Sequence, residues 1–301
     1  MSERPLDELD FVSPTTRIAR RGVVYVSLVG FAAIVLAPFV IVISLSLSSP
    51  GEVFAWPPVL IPEDPQFRNF LAVFETTNFG RYMMNSFIIA SVSTIGIVFI
   101  DGLAGYAFAK MRFPGRTPMF LLILATLMVP VHVTIVPLFI MFRSVPLAGG
   151  NDITGQGGAG ILDSYPALIL PFLATAYGTY LMREFMRMLP SNLVDAARMD
   201  GAHEFAIFWK IYLPNAKPAL AVIAMFNFTA VWNEFLVPLV MTSSGSMKVI
   251  QTGLADFVDQ ETVRWTLLMA AVLMGIGPLI VMFVIGQKHF VRGVAVGGAK
   301  G

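Results

Sequence analysis

Long apolar runs separated by polar segments make up most of the chain. A helix that crosses the ~30 Å hydrocarbon core of a bilayer needs about 20 mostly apolar residues. Six runs reach that length, and each is predicted to be a membrane-spanning helix: residues 23–47, 82–107, 118–142, 166–187, 218–242 and 266–286. The first run is longer than the apolar centre of a cleaved signal peptide, so we interpret it as a true span.

Proline and glycine add detail to this pattern. Proline is tolerated within a membrane helix when neighbouring groups satisfy the carbonyls that it leaves free. We expect kinks at some of six such positions: Pro38, Pro130, Pro137, Pro171, Pro238 and Pro278. The outer loop 48–81 is too proline-rich for a helix and too aromatic for a flexible linker, which favours an ordered cap. The glycine-rich loop around residues 149–160 is predicted to be irregular and mobile.

The composition narrows the function classes. Apolar residues make up 56% of the chain and charged residues only 13%, against about 25% in soluble domains. This excludes a soluble globular domain and a disordered chain. A formal net charge of +1 gives no basic field for nucleic acid. The chain has no cysteine, and its three histidines lie far apart, so we predict no metal site and no catalytic residues.

The distribution of Lys and Arg predicts the orientation. With the N-terminus inside, 15 of the 20 basic residues lie in inner segments, which is the positive-inside pattern of a cell-membrane protein. Six spans then place both termini in the cytoplasm. The chain is divided into a cytoplasmic tail (1–22), a six-span membrane domain (23–290) and a second cytoplasmic tail (291–301).

The inner loop 189–218 is the most informative segment. It is predicted to form two short helices joined at Gly201, with Ser191 or Asn192 capping the first and Asp200 capping the second. Pro214 is expected to end the second helix. Aromatic residues recur there at helical spacing and form one stripe: Phe205, Phe208, Trp209 and Tyr212. Such a stripe packs on the protein's own helices or docks on a partner, and it can be shared between the two.

This loop resembles the EAA loop of ABC-importer permeases, with Asp195 in the usual Glu position. The matching residues are Asp195-Ala196-Ala197, Asp200-Gly201-Ala202, Phe208, Ile211, Leu213-Pro214 and Pro218. In that family the loop is a coupling helix that sits in a cleft of the ATPase subunit. The resemblance therefore assigns ATPase coupling to Asp195, Ala196, Ala197, Asp200, Gly201, Ala202, Phe205, Phe208, Trp209, Leu213 and Pro214.

Further segments extend the resemblance to the second six-span permease of maltose-type carbohydrate importers. They are Asn78-Phe79-Gly80-Arg81, Asn85-Ser86, residues 104–116, Trp232-Asn233-Glu234-Phe235 and the tail from Gln287. The resemblance implies an all-α, type I importer permease fold, and a transport subunit rather than an enzyme. It also implies a second permease, two ATPase subunits that carry ATP and Mg, and an extracytoplasmic solute-binding protein. The chain itself is expected to bind no cofactor.

Polar residues within the spans are candidates for a substrate path, because charges at depth usually face a cavity or a partner. The candidates are His132, Asn227, Trp232, Asn233 and Glu234. Glu234 has a structural alternative, as a hydrogen-bonded group beside Asn233. Asp101 either pairs with the second permease or is a locally satisfied acid.

Two rival functions would leave different signs in the sequence. An ion-coupled secondary transporter needs an ion site at the midplane and usually shows inverted repeats, and two isolated acids without a visible repeat argue against it. An intramembrane enzyme needs a nucleophile with its base or a metal cluster, and His132 has neither beside it. The sequence does not identify the solute.

Overall fold

A computed structural model describes residues 14–57, 59–190, 192–258 and 263–298. Most of the predicted N-terminal tail, the predicted cap Ser191 and the last three residues of the C-terminal tail lie outside this part. Within it, the regular structure is helical apart from an isolated bridge between Val258 and Val263.

The α-helices are joined in places by single 3₁₀ or π turns. Their bounds are α1 Pro14–Leu47, α2 Arg68–Thr76, α3 Phe79–Lys110, α4 Arg116–Ala125, α5 Val131–Arg143, α6 Tyr165–Ile169, α7 Ala176–Met188, α8 Asn192–Met199, α9 Glu204–Ile207, α10 Leu213–Asn215, α11 Lys217–Trp232, α12 Leu236–Met241, α13 Ile250–Gly253 and α14 Trp265–Gly298. The 3₁₀ turns are Thr126–Met128, Leu170–Phe172, Gly245–Met247 and Leu254–Phe257, and the π turn is Phe208–Tyr212.

Three helices in the described residues are long and apolar enough to cross a membrane. They contain Gly22–Leu47, Phe79–Lys110 and Trp265–Gln287, and they correspond to the first, second and sixth predicted spans. The third predicted span is a helix pair bent by 103°. Its bend lies at Pro130, whose extended backbone (φ −61°, ψ 129°) separates α4 and its 3₁₀ turn from α5. Counting the bent pair as one span gives four.

The fourth and fifth predicted spans are interrupted. Helix α7 has 13 residues and α11 has 16, so each is about 20–24 Å long and shorter than the bilayer core. The fourth run breaks after the 3₁₀ turn that contains Pro171, and the fifth breaks at Asn233 and Glu234, before α12. Helices α1, α5 and α14 instead continue through their prolines.

Helix α3 lies at the centre of the fold, where it packs against α7 and α11, while α1 packs against α14. Close approach of α3 and α7 depends on Gly105, because a Cβ there would lie 2.5 Å from the Cβ of Met182. Two buried clusters meet along α3. The cluster at its N-terminal half includes Phe79, Ile89 and Trp232, and the cluster at its C-terminal half includes Tyr106, Met182 and Phe208.

Hydrogen bonds from asparagine side chains to backbone carbonyls stabilise the two predicted outer loops. In the predicted cap, Asn69 donates hydrogen bonds to the carbonyls of Ser46 and Ser48, and the loop after the prolines also forms the unpredicted helix α2. The glycine-rich loop is irregular, as predicted. Asn151, however, donates to the carbonyls of Arg143 and Val145 and accepts from the Gly158 N–H, which restrains a loop expected to be mobile.

Candidate functional site

The first helix of the inner loop ends in a Schellman motif. Gly201 has a φ of +77°, its N–H donates to the Arg198 carbonyl (3.0 Å), and the Ala202 N–H donates to the Ala197 carbonyl (2.9 Å). Glycine is favoured there because a Cβ destabilises the left-handed conformation. The predicted turn at Gly201 is confirmed, and Ala197 and Ala202 gain a structural role as the small residues that meet across it.

The second helix begins and ends differently from the prediction. His203, not Asp200, is its N-cap, since the imidazole Nδ1 accepts the Ala206 N–H at 3.2 Å. The helix also continues past Pro214: a π turn over Phe208–Tyr212 leads into α10. Pro214 has no backbone N–H and so cannot donate the usual helical hydrogen bond to a carbonyl in the preceding turn. The wider π turn before it accommodates that missing bond.

The aromatic stripe is divided between burial and exposure. Phe208 and Tyr212 are each 1% exposed and pack on Tyr106 of α3, with ring centroids 5.7 and 4.9 Å away. The packing alternative is therefore the correct one for these two rings, and the docking assignment of Phe208 is corrected: its side chain is inside the permease.

The other two rings of the stripe, Phe205 and Trp209, are about half exposed and stack on each other at 6.2 Å. Trp209 also meets Phe99 edge-on at 6.4 Å. Phe99 lies about 16 Å along α3 from its last residue, Lys110, so Trp209 lies on the lateral surface of the membrane domain.

A polar cluster joins the two halves of the loop to α3. Tyr106 donates a hydrogen bond to one oxygen of Glu204, and the Arg198 guanidinium donates to the other at 2.9 Å. The Arg198 hydrogen bond holds the pKa of Glu204 below its usual range, against the opposing effect of partial burial. Sequence reasoning missed this Glu204 cluster (Tyr106, Arg198, Glu204), because Tyr106 and Glu204 are 98 residues apart.

Most of the described side chains of helix α8 are exposed. Only Val194 is buried among its described side chains, whereas Asp195, Ala196 and Met199 are exposed, as is Asp200 just beyond the helix. Met199 is 88% exposed. We name these four residues the α8 face. Sequence reasoning missed Met199, although its spacing of three from Ala196 places both on one side of a helix.

Two coupling candidates lie at the far end of the loop. Leu213 is half-buried against the C-terminal cluster of α3, and Pro214 is exposed. At the start of the loop, just after α7, the Leu189 carbonyl accepts a hydrogen bond from Nζ of Lys110, the last residue of α3, at 2.7 Å. The loop is thus attached to the last turn of α3 at both its beginning and its middle.

Asp101 is a locally satisfied acid, which was one of its two predicted roles. Its fully buried carboxylate accepts hydrogen bonds from the Thr175 N–H, the Thr175 hydroxyl and the Thr179 hydroxyl at 3.0–3.2 Å. Gly178 makes room for it, because a Cβ there would lie 2.0 Å from the carboxylate. The acid favours the positive N-terminus of α7 and fixes that helix to α3.

The candidate path residues fall into two sets. Asn227 is 8% exposed and donates to the Thr94 hydroxyl at 3.3 Å, and Trp232 is 2% exposed and donates to the Gly275 carbonyl at 3.0 Å. Both side chains connect helices in the interior. Neither presents a free surface to a solute in this conformation.

The second set lies at the break between α11 and α12. Asn233 is exposed, and Glu234 is half-buried and accepts from the backbone N–H groups of Leu236 and Val237 at 3.0 and 3.1 Å. This is the structural role that was the alternative for Glu234. His132 is exposed at the start of α5, after the bend.

Comparison with known proteins gives three similarities of high coverage. A family described as the binding-protein-dependent transport system inner membrane component matches residues 102–296. The sn-glycerol-3-phosphate transport system permease protein UgpE of Yersinia pestis bv. Antiqua (strain Antiqua) is 33% identical over 275 residues, covering 89% of this chain and 92% of that protein. The diacetylchitobiose uptake system permease protein NgcG of Streptomyces coelicolor is 28% identical, covering 90% and 86%.

Solved structures extend the similarity to the fold. A crystal structure of a bacterial ABC transporter involved in the import of the acidic polysaccharide alginate contains a chain that matches with a TM-score of 0.77 and 27% identity. The match covers 93% of this chain and 99% of that chain. Sequence and fold therefore agree over almost the full length.

Proposed function

Because the chain belongs to the family of binding-protein-dependent transport system inner membrane components, we propose that it is one permease subunit of an ATP-driven importer for a sugar or a related solute. The similar proteins are permeases for sn-glycerol-3-phosphate and diacetylchitobiose, and the structural match comes from an alginate importer. Their shared chemistry is a polyhydroxylated solute, which supports that class without selecting one member.

The topology in this proposal has six spans and both termini in the cytoplasm. Three long helices and the bent α4–α5 pair supply four crossings, and the interrupted stretches α6–α7 and α11–α12 supply the other two. Breaks within a span are tolerated where neighbouring protein satisfies the backbone. The 15-to-5 division of Lys and Arg supports the orientation.

The α8 face is proposed to dock in a cleft of the ATPase subunit. The observation that carries this assignment is the division of the inner loop. The stretch from α9 through the π turn to α10 packs on α3, whereas the described side chains of α8 are exposed apart from the buried Val194 and the half-buried Ala197. The Glu204 cluster and the Schellman motif connect the two parts without a flexible joint. Movement of α8 is therefore transmitted to α3.

In the proposed cycle the chain works with a second permease, two ATPase subunits and an extracytoplasmic binding protein. ATP closes the ATPase pair, the docked helices approach each other, and the spans change from inward-open to outward-open. Hydrolysis reverses the change. Each state is populated because one ligand or nucleotide state binds it better, as in any two-state switch.

Within the permease pair, the path for the solute is proposed to run beside the break between α11 and α12. Asn233 supports this proposal because its amide is exposed there and accepts a hydrogen bond from Gln251 at 3.3 Å. Glu234 orders the start of α12. His132 is retained as a candidate path residue, while Asn227 and Trp232 are assigned to helix packing.

Reconstitution of the full transporter in vesicles tests the proposal. We expect uptake of a solute delivered by the binding protein to require ATP and to continue when ion gradients are dissipated. Single cysteines introduced at Glu63 and Met199 should react with a membrane-impermeant thiol reagent added on opposite sides of the membrane. Uptake driven by an ion gradient without ATP would contradict the function, and labelling of both positions from the same side would contradict the topology.

A further inference from the structure

A cavity of about 590 Å³ lies beside the inner loop and shares one residue, Asp195, with the α8 face. Its polar lining consists of five basic residues and one acid: Lys110, Arg112, Arg116, Arg187, Arg198 and Asp195. We name it the cationic groove. The chain as a whole has a formal net charge of only +1, so this concentration of positive charge is local.

A tight turn between two membrane helices places two of the arginines in the groove. Helix α3 ends at Lys110, and Gly115 adopts a φ of +79° immediately before α4. Phe113 packs on Phe108 with ring centroids 5.8 Å apart, which directs the turn back against α3. Arg112 and Arg116 therefore lie at the level where two membrane helices end, which is the level of lipid headgroups.

The positive charge of the groove is only partly neutralised by the protein. Among the described residues, ion pairs within 4 Å involve Arg187 with Glu184 and Arg198 with Asp195 and Glu204, but neither Arg112 nor Arg116. Arg116 donates one hydrogen bond to the Met111 carbonyl, and Arg112 is exposed. Guanidinium groups arranged in this way are suited to bind a phosphate through paired hydrogen bonds.

The surface next to the groove is apolar. On α4, within two turns after Arg116, Met119 is 51% exposed and Leu122 is 70% exposed. A ligand whose phosphate lies in the groove can therefore extend hydrocarbon chains along α4. A soluble phosphate ester would leave this face unused.

We propose that the cationic groove binds the phosphate of an anionic phospholipid from the cytoplasmic leaflet. Arg112 and Arg116 contact the headgroup, and the exposed side of α4 contacts the acyl chains. Each basic residue near an anionic headgroup strengthens such binding severalfold. Because Asp195 and Arg198 of α8 also line the groove, the lipid lies between the inner loop and the membrane.

The test measures lipid retention by the purified, complete transporter. The protein is equilibrated with a mixture of phosphatidylglycerol and phosphatidylcholine, and the retained lipids are counted by native mass spectrometry. We expect wild type to retain phosphatidylglycerol selectively. The double variant Arg112→Gln/Arg116→Gln should retain at least about tenfold less phosphatidylglycerol than wild type. The pair Arg112→Lys/Arg116→Lys keeps the charge and should restore most of the retention even if the neutral pair folds poorly.

The matched control is the double variant Arg68→Gln/Arg143→Gln, which removes the same amount of charge on the other side of the membrane. This variant should retain as much phosphatidylglycerol as wild type. Equal retention by the Arg112/Arg116 and Arg68/Arg143 variants would overturn the proposal. Displacement of the lipid by inorganic phosphate at equal concentration would assign the groove to a soluble anion instead. Retention only after removal of the ATPase subunits would show that an acidic protein surface occupies it, which also overturns the proposal.

Discussion

The inner loop has two helical stretches on either side of one glycine, α8 and the segment from α9 to α10, yet they are packed in opposite ways. Helix α8 buries Val194 and leaves the α8 face exposed. The stretch from α9 to α10 instead buries Ile207, Phe208 and Tyr212 against α3. The buried half of the aromatic stripe, Phe208 and Tyr212, therefore attaches the loop to α3, and the less hydrophobic helix is the one that we propose meets a partner.

Under the proposed function, this difference indicates how a permease subunit can receive force from an ATPase subunit. A contact surface that moves needs a rigid base, and a packed interior supplies one because it does not deform smoothly. In this chain the base is the C-terminal cluster of α3, and α8 is the part that projects from it. The Glu204 cluster bridges them, with Arg198 on α8 and Tyr106 on α3.

The largest expected effect separates two phenylalanines of the stripe. Phe208→Ala removes a fully buried ring and should destabilise the purified chain by about 3 kcal/mol or more. Phe205→Ala removes a ring that is half exposed and should cost less than about 1 kcal/mol. Thermal unfolding of both variants measures the difference. Equal losses would mean that the two rings are equally buried in solution.

The next effect concerns Gly201. A Cβ at Gly201 or at Gly245 would meet no atom within 4 Å, but only Gly201 has a positive φ. Gly201→Ala should therefore cost about 1–2 kcal/mol and weaken the stimulation of ATP hydrolysis by loaded binding protein, whereas Gly245→Ala should do neither. Gly201→Asn should recover part of the loss, because asparagine tolerates this conformation. If Gly201→Ala changed neither stability nor the stimulation of ATP hydrolysis, the Schellman motif would have no role in coupling.

A smaller effect depends on pH through Glu204. Its pKa is lowered in the folded loop, so its stabilising contribution is complete above the ordinary value of 4.5 and is lost as the pH falls through the folded pKa. Glu204→Gln should lower stability by about 1 kcal/mol near neutral pH, since the pair is partly exposed. The melting temperature of the variant should also fall less steeply than that of wild type below the ordinary pKa. Parallel curves would assign the acid sensitivity to other groups.

The smallest effect on folding is expected at Asp195. Its contact with Arg198 is an exposed i,i+3 pair at 3.8 Å, so Asp195→Ala should change stability by only about 0.3 kcal/mol. Its charge lies on the α8 face, however, and coupling should fall measurably in reconstituted vesicles. A loss of coupling that scales with a loss of stability would indicate a structural role alone.

A few residues of the inner loop were enough to predict both the turn at Gly201 and the family of the chain. A Schellman motif requires a residue that tolerates positive φ just after the helix, and Gly201 is that residue. The long spans were equally predictable, because α1, α3 and α14 are apolar over more than 20 residues. Local patterns were sufficient where the structure depends on local contacts.

Long-range pairings were the part that the sequence did not reveal. Asp101 gave no sign that its partners are Thr175 and Thr179, and the periodicity of the stripe could not show which rings would meet Tyr106. The cap at His203 was missed because aspartate is the commoner cap and Asp200 lies nearby. The breaks at Pro130 and after Pro171 depend on how neighbouring helices pack, so proline alone did not distinguish them from the continuous helices through Pro38 and Pro278.

The most direct test of the division of the loop uses the absence of cysteine from the chain. Single variants Met199→Cys and Phe205→Cys are placed in the reconstituted transporter, and the reaction of each thiol with a soluble maleimide is followed with and without the ATPase subunits. The account predicts that the ATPase protects Met199→Cys, and that Phe205→Cys reacts at the same rate in both cases. Protection of Phe205→Cys without protection of Met199→Cys would show that the aromatic helix, not α8, receives the partner.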